Sequence, residues 1–361
     1  MVDAVDTPRI EGVDRRTLVI LNPAAGQADP ARVRRQIGGA FAVREASFDI
    51  VATTAAGDAE RLAREAASLG YRAVVAAGGD GTVAEVITGL AETTVPLGII
   101  PQGTANLVAA NLGIPGDIER AVDAVLHGTP VPMDVGQLEN GRYFALIAGA
   151  GWDAEVMRSA TRELKDRLGF GAYLLAALRK VATPPSALFR ITADGQEFRI
   201  RAATVLVANV GQIFHAMLPL QFKIAPATSI SDGMLDICIF APRTLPDVAT
   251  VLWKVASKRY VGDQRMIYLQ AREIRIEADP PVVAQVDGDV SGETPLVARA
   301  IPGGVHVLVP GMGPPRDDGK TVDRQEAQPI DRQQIESTRR RSTEKPEASR
   351  STRDRRKRVE G

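Results

Sequence analysis

The chain has 361 residues, 45% hydrophobic and 24% charged, a composition that suits a folded globular protein with room for two domains. Lys plus Arg and Asp plus Glu stand at 44 each, so no overall charge selects nucleic acid or another polyanion. The single cysteine, Cys238, excludes an internal disulfide and a cysteine metal cluster, and fits a reducing compartment.

Residues 1–16 read as a flexible polar leader. No apolar run precedes Thr17, which argues against a secretory signal. No apolar stretch reaches the ~20 residues that span a bilayer, so any meeting with a membrane is expected from the side. Thr17 to Leu21 (TLVIL) reads as a buried strand ending at Asn22 and Pro23, with Gly26 closing the turn. A helix is expected from Pro30 to Phe41 and a strand from Phe48 to Ala52, running into Thr53, Thr54 and Gly57. Leu62, Ala66 and Leu69 recur at helical spacing within Asp58 to Leu69.

Val74 to Leu90 (VVAAGGDGTVAEVITGL) then passes from a strand through Gly78, Gly79, Asp80, Gly81 and Thr82 into a helix. Glycines let the backbone approach a bulky anion, and the N–H groups at the helix start favour negative charge. A carboxylate inside such a turn repels bare phosphate, so Asp80 makes chemical sense if a hard cation such as Mg²⁺ lies between them. The alternative is a tight turn with a solvated Asp. A strand from Val95 to Ile100 follows, breaking at Pro101. Gly103, Thr104, Ala105 and Asn106 form another polar turn before the helical LVAANL. Alternating strands and helices imply a parallel sheet with ligands beyond the carboxyl ends of its strands. The turns after Leu21, Ala52, Ala77 and Ile100 would all lie on that edge.

From Val131 the texture becomes that of an antiparallel half, with strands expected at Val131 to Leu138, Tyr143 to Ala148, Phe189 to Thr192, Phe198 to Ala208 and Met234 to Phe240. Asn140-Gly141 and Asp194-Gly195 supply hairpin signals. A helical insert is expected over 154–181, as a core helix or one touching lipid head groups. Beyond Pro310 the apolar pattern ends, and 311–361 reads as a disordered charged tail. From Arg339 the tail has ten Lys or Arg against four Asp or Glu, an excess that suits either an anionic membrane or a solubilising end. Gly149, Gly151 and Ala154 match a dinucleotide fingerprint without the acid expected ~20 residues on. Residues 313–321 imitate a phosphate loop with one residue too many. Asp287, Asp289 and Ser291 imitate a calcium loop that lacks its closing Glu. His127, His215 and His306 have no metal or triad spacing.

Taken together, LNPAAG at Leu21 to Gly26, GGDGTVAEV at Gly78 to Val86, PQGTANLVA at Pro101 to Ala109, VPMDVG at Val131 to Gly136, SDGMLD at Ser231 to Asp236 and VDGD at Val286 to Asp289 resemble the diacylglycerol kinase catalytic-domain family, which includes bacterial lipid kinases and sphingosine kinases. The resemblance implies an NAD kinase-like α/β nucleotide domain with a parallel sheet, over 17–130 plus about 300–310, and a β-rich antiparallel sandwich domain for the lipid over 131–299. Val305 to Val309 would be the strand returning to the first domain. It implies transfer of the ATP γ-phosphoryl group to a lipid hydroxyl, with Mg²⁺ as cofactor, diacylglycerol giving phosphatidic acid being the expected reaction.

By the same resemblance, Gly78, Gly79, Gly81 and Thr82 hold the phosphates, and Asn22, Thr54, Thr104 and Asn106 line the pocket, with Glu85 in reach of the nucleotide. Asp80 would organise Mg²⁺, with Asp134 in its network, and Asp232 and Asp236 would match a structural Mg²⁺ site. Where the family has DGE this chain reads DGD, so Asp289 is the aligned base and Glu293 the competing one. A cytoplasmic protein peripheral at the inner face of the membrane is expected, without nucleic acid, homodimerisation being left open. The competing readings are a soluble-substrate kinase of NAD kinase type and a catalytically weak nucleotide- or lipid-binding protein.

Overall fold

The computed structural model describes residues 16–152, 154–155, 186–210, 212–214, 222–223, 229–242, 244, 246–247, 250, 253–254, 263 and 265–311. All but the first two residues of the expected helix over 154–181, and the leader and tail save Arg16 and Gly311, lie outside them, as does His215.

The first domain alternates β1 (Thr17–Leu21), α1 (Pro30–Val43), β2 (Phe48–Ala52), α2 (Asp58–Leu69), β3 (Ala73–Gly78), α3 (Asp80–Leu90), β4 (Leu97–Pro101), α4 (Leu107–Asn111) and α5 (Ile118–His127). The strands pair in parallel in the order β2, β1, β3, β4. Successive side chains of a strand face opposite ways, and both faces here are covered. Leu18, Ile20, Val74 and Ala76 pack with Ala59 and Ala63 of α2 and Val86 and Ile87 of α3, whereas Val19, Leu21, Val75 and Ala77 pack with Ile37 and Phe41 of α1 and Val122 and Val125 of α5. That double burial is why β1, β3 and β4 read as unbroken apolar runs, whereas the edge strand β2 carries Asp49 and leaves Val51 exposed. Pro101 ends β4 from within rather than breaking it. α5 was not expected; Asp117 caps it by accepting the Arg120 N–H at 3.0 Å.

The second domain is antiparallel. One of its sheets runs in the order β14 (Met266–Ala271), β13 (Leu235–Phe240), β10 (Thr204–Ala208), β7 (Ile147–Gly151), β16 (Val283–Val286), β17 (Asp289–Glu293). The other, made of β9 (Gln196–Ala202), β8 (Ala187–Ala193), β15 (Glu273–Asp279) and β18 (Leu296–Val309), is continuous with the parallel sheet. Phe189, Ile191, Ile274 and Ile276 meet Val205, Ile237, Ile267 and Val286 in the sandwich core. β18 joins the halves. Its first half pairs with β15, its second half pairs in parallel with β4 through Val307 and Leu97, and β5 (Thr129–Leu138) follows it almost throughout. The expected return strand at Val305 to Val309 is therefore the end of a much longer one.

Two expected strands are divided. Phe198 to Ala208 turns over at Ala203 between β9 and β10. Tyr143 to Ala148 splits into β6 (Tyr143–Phe144) and β7, because the N–H groups of Ala145, Leu146 and Ile147 all donate to one side chain, Asp287, at 3.0, 3.0 and 2.9 Å. The Gly149 to Ala154 fingerprint begins inside β7, and both of its glycines, Gly149 and Gly151, lie on that strand.

Candidate active site

The carboxyl ends of β1, β3 and β4 lie side by side, so their loops meet at one edge of the sheet. Asn22 ties the first loop to the second. Its backbone N–H donates to the Ala77 carbonyl at 3.0 Å, its Nδ2 donates to Thr82 Oγ1 at 3.0 Å, and its Oδ1 accepts the Ala24 N–H at 2.9 Å. The second loop touches the third backbone to backbone. A Cβ placed on Gly103 would lie 2.5 Å from Gly79 Cα, and one on Gly78 would lie 2.4 Å from Thr82 Oγ1. Asn106, at a left-handed φ of 48°, closes the third loop: its Oδ1 accepts the Gly103 N–H at 2.9 Å and its Nδ2 donates to the Gly103 carbonyl at 2.8 Å. Thr104 stands exposed between them, and Asn106, not Thr104, occupies the cap position of α4.

Gly81 is different from its neighbours. It is exposed, and a Cβ there would meet nothing within 4 Å. Its backbone is thus bare to an incoming group, with the α3 N-terminus around it. Asp80 opens α3, and its Oδ1 accepts the Val108 N–H at 3.1 Å, joining α3 to α4. Burial pushes the Asp80 pKa up, against the N–H groups of Val108, Leu107 and Asn106 and its own.

Thr54 and Glu85 both engage the start of α2. The Thr54 N–H and Oγ1 donate to Asp58 Oδ2 at 2.8 and 2.7 Å and, with the Ala55 N–H and Arg61, hold that carboxyl well below the usual carboxylate range. Glu85 Oε2 accepts the Ala59 N–H at 3.1 Å.

Asp134, on β5 and 2% exposed, accepts the Gly233 N–H at 2.6 Å and the Gly303 N–H at 2.7 Å. Asp232 accepts the Met234 N–H at 3.0 Å, and its pKa is raised by burial first and by the nearby Asp134 charge as well. Asp236 is buried on β13 opposite Ala208 and Gln270. Among the described residues no three His, Cys, Asp or Glu side chains are grouped to hold a metal ion. Mg²⁺ is commonly held by one or two carboxylates together with substrate phosphates and water. A half-buried Asp80 beside a bare glycine turn fits that mode.

Asp287 and Gly288, at φ 48° and 91°, make the two-residue turn between β16 and β17 that an Asp-Gly pair favours. Asp289 follows it, exposed, with Arg142 Nη2 at 3.6 Å. Glu293 pairs with Val283 at the far end of β17, about 13 Å along the strand at ~3.3 Å per residue. The two competing bases are thus held apart. Asp287 and Asn209 take part in this region without having been singled out as site residues; the Asp-Gly turn signal could have pointed to the first.

A cavity of about 740 Å³ opens between α1 and α5, lined by Gln36, Arg44, Gln102, Asn106 and Glu119 among others. It meets the loops described above at Gln102, Gly103 and Asn106, and neither Asn22 nor any residue of the Gly78 to Thr82 turn lines it.

The chain matches the pattern of the diacylglycerol kinase catalytic domain over residues 16–138 and that of the YegS C-terminal NAD kinase beta sandwich-like domain over 147–309. It is 32% identical over 299 residues to a diacylglycerol kinase of Bacillus subtilis, covering 82% of this chain and 97% of that one. A diacylglycerol kinase of Staphylococcus carnosus is 28% identical over 285 residues, covering 78% and 90%. A crystal structure of a diacylglycerol kinase from Bacillus anthracis superposes with a TM-score of 0.67 at 28% identity, over 82% of this chain and 98% of that one.

Proposed function

The chain belongs to the diacylglycerol kinase catalytic-domain family and is a lipid kinase, and from that premise we propose that it transfers the γ-phosphoryl group of ATP to the hydroxyl of diacylglycerol, giving phosphatidic acid. The observation that carries this reading is the meeting of the Asn22, Gly78 to Thr82 and Gly103 to Asn106 loops at one sheet edge. Bare N–H groups at the Gly81 turn take up phosphate oxygens. Mg²⁺, when bound, neutralises phosphate charge, and Asp80 is the residue that would hold it or its waters. Phosphoryl transfer is mostly positioning and charge neutralisation, so rigid loops packed backbone on backbone suit it.

A carboxylate must also accept the lipid hydroxyl proton. We assign that to Asp289, whose turn is tied through Asp287 to the Ala145 to Ile147 segment, rather than to Glu293 at the other end of the strand. Among the described residues no helix is long and apolar enough to cross a membrane, and contact with lipid is proposed from the side. The test is transfer of labelled γ-phosphate to diacylglycerol, other lipid alcohols and NAD, presented in mixed micelles with Mg²⁺. Labelled phosphatidic acid supports the reading. Label in NAD alone, or ATP binding without labelled product, overturns it in favour of a soluble acceptor or of a binding protein.

A further inference from the structure

We propose that Asn209 is a positioning residue for this transfer: it fixes the Asp287 to Asp289 turn, and with it the proposed base, against Asp134. The inference rests on the reading of Asp289 given above. Asn209 follows β10 and is 1% exposed. Its Nδ2 donates to the Asp134 carbonyl at 2.7 Å and to the Ala145 carbonyl at 3.1 Å, while its backbone N–H donates to the Leu146 carbonyl at 2.9 Å. Two carbonyl oxygens at Nδ2 fix the orientation of the amide, since the reverse would set three acceptors together.

The segment that receives these bonds is the one that breaks the expected strand. The carbonyls of Ala145 and Leu146 accept from Asn209, and the N–H groups of Ala145, Leu146 and Ile147 donate to the Asp287 carboxylate on the other side. Asp287 in turn donates its own N–H to the Ile147 carbonyl at 2.8 Å. A continuous run of hydrogen bonds therefore leads from Asp134 through Asn209 and residues 145–147 to Asp287, two residues before Asp289. Asp134 itself is fixed by Gly233 and Gly303, on the loop before β13 and within β18. Buried polar groups joined in this way hold one geometry, since moving one strands its partner without water. Asn209→Ala keeps the backbone bond to Leu146 and removes both side-chain bonds.

Asn209→Ala is expected to speed amide hydrogen exchange at residues 145–147 and 287–289 at least about tenfold, with β8 and β9 unchanged. kcat falls at least about tenfold while KM for ATP stays within about twofold, because the phosphate loops lie on other elements. Asp287→Asn, which leaves one acceptor oxygen and sets an amide donor against the N–H facing the other position, gives the same pattern. The double variant loses no more activity than the worse single one. Unchanged exchange at 287–289 overturns the proposal, as do exchange that rises everywhere, KM that shifts with kcat, or additive losses. A wild-type protein that phosphorylates no lipid sinks the proposed function instead, and the exchange measurement still decides the link between Asn209 and the turn.

Discussion

Replacing Asp80 with Asn separates what the fold asks of this position from what catalysis asks. The Oδ1 acceptor for Val108 survives in the amide, so the contact between α3 and α4 is kept. What is lost is the attraction of a full charge to the α4 N-terminus, about 0.3–1 kcal/mol. What is gained is relief from burying that charge. Burial outweighs the opposing N–H groups and raises the folded-state pKa above that of the unfolded chain. The folded protein then holds the proton more tightly, and the ionised form at neutral pH is a net cost to folding. Asp80→Asn removes that cost, so the free variant should unfold at the wild-type temperature or up to about 3 °C above it, a change of ~1 kcal/mol or less. Its turnover should fall at least about 100-fold, as when one element of transition-state charge stabilisation is removed. Thermal unfolding without ligand and labelled-phosphate transfer measure the two effects. A variant destabilised by more than about 2 kcal/mol would make Asp80 chiefly a helix cap, and one of full activity would remove it from catalysis.

Gly81→Ala should raise stability by about 0.5–1 kcal/mol, since the residue is helical and the new methyl meets open space, yet weaken ADP binding measured by calorimetry. Gly78→Ala should destabilise, as its methyl would drive into Thr82; unchanged ADP affinity in the first variant would place the phosphates elsewhere. Asp289→Asn should lower kcat at least about 100-fold and Glu293→Gln less than about threefold, and the reverse order would exchange their roles. Asp49 is held below the usual carboxylate range by the Arg16 guanidinium, with Tyr71 assisting at 3.1 Å. A depressed folded-state pKa stabilises above the carboxylate range and is lost as pH falls through it. Asp49→Asn should therefore flatten the fall of unfolding temperature between about pH 5 and 3, and an unaltered slope would deny the pair a part in stability.

The first domain is legible because its inner strands β1, β3 and β4 are buried on both faces and its turns carry Asn-Pro, Gly-Gly and Pro-Gln-Gly signals at strand ends. Helix α2 was readable to its limits, its apolar residues falling on one side between Gly57 and Gly70. What was lost depended on distant partners. Nothing near Ala145 signals that Asp287, 142 residues away, draws its backbone out of a strand. The returning strand was expected to begin only at Val305, yet β18 runs through Pro302, Gly303 and Gly304 because β5 follows it on both sides with a shift in register. In the site, the resemblance gave a role to Asp134 but none to Gly233, within its SDGMLD motif, or to Gly303, the two amides that hold it. Asn209 lies one residue past the expected strand ending at Ala208 and was not singled out, and its bonds form only because the fold brings Asp134 and Ala145 beside it.

The central claim is that the nucleotide phosphates lie on the Gly78 to Thr82 turn, and a crystal structure with ADP and Mg²⁺ tests it most directly. The account predicts phosphate oxygens within hydrogen-bond distance of the N–H groups of that turn, with Asp80 facing the metal ion or its waters. A nucleotide seated instead in the cavity between α1 and α5, against Gln36, Arg44 and Glu119, would contradict it.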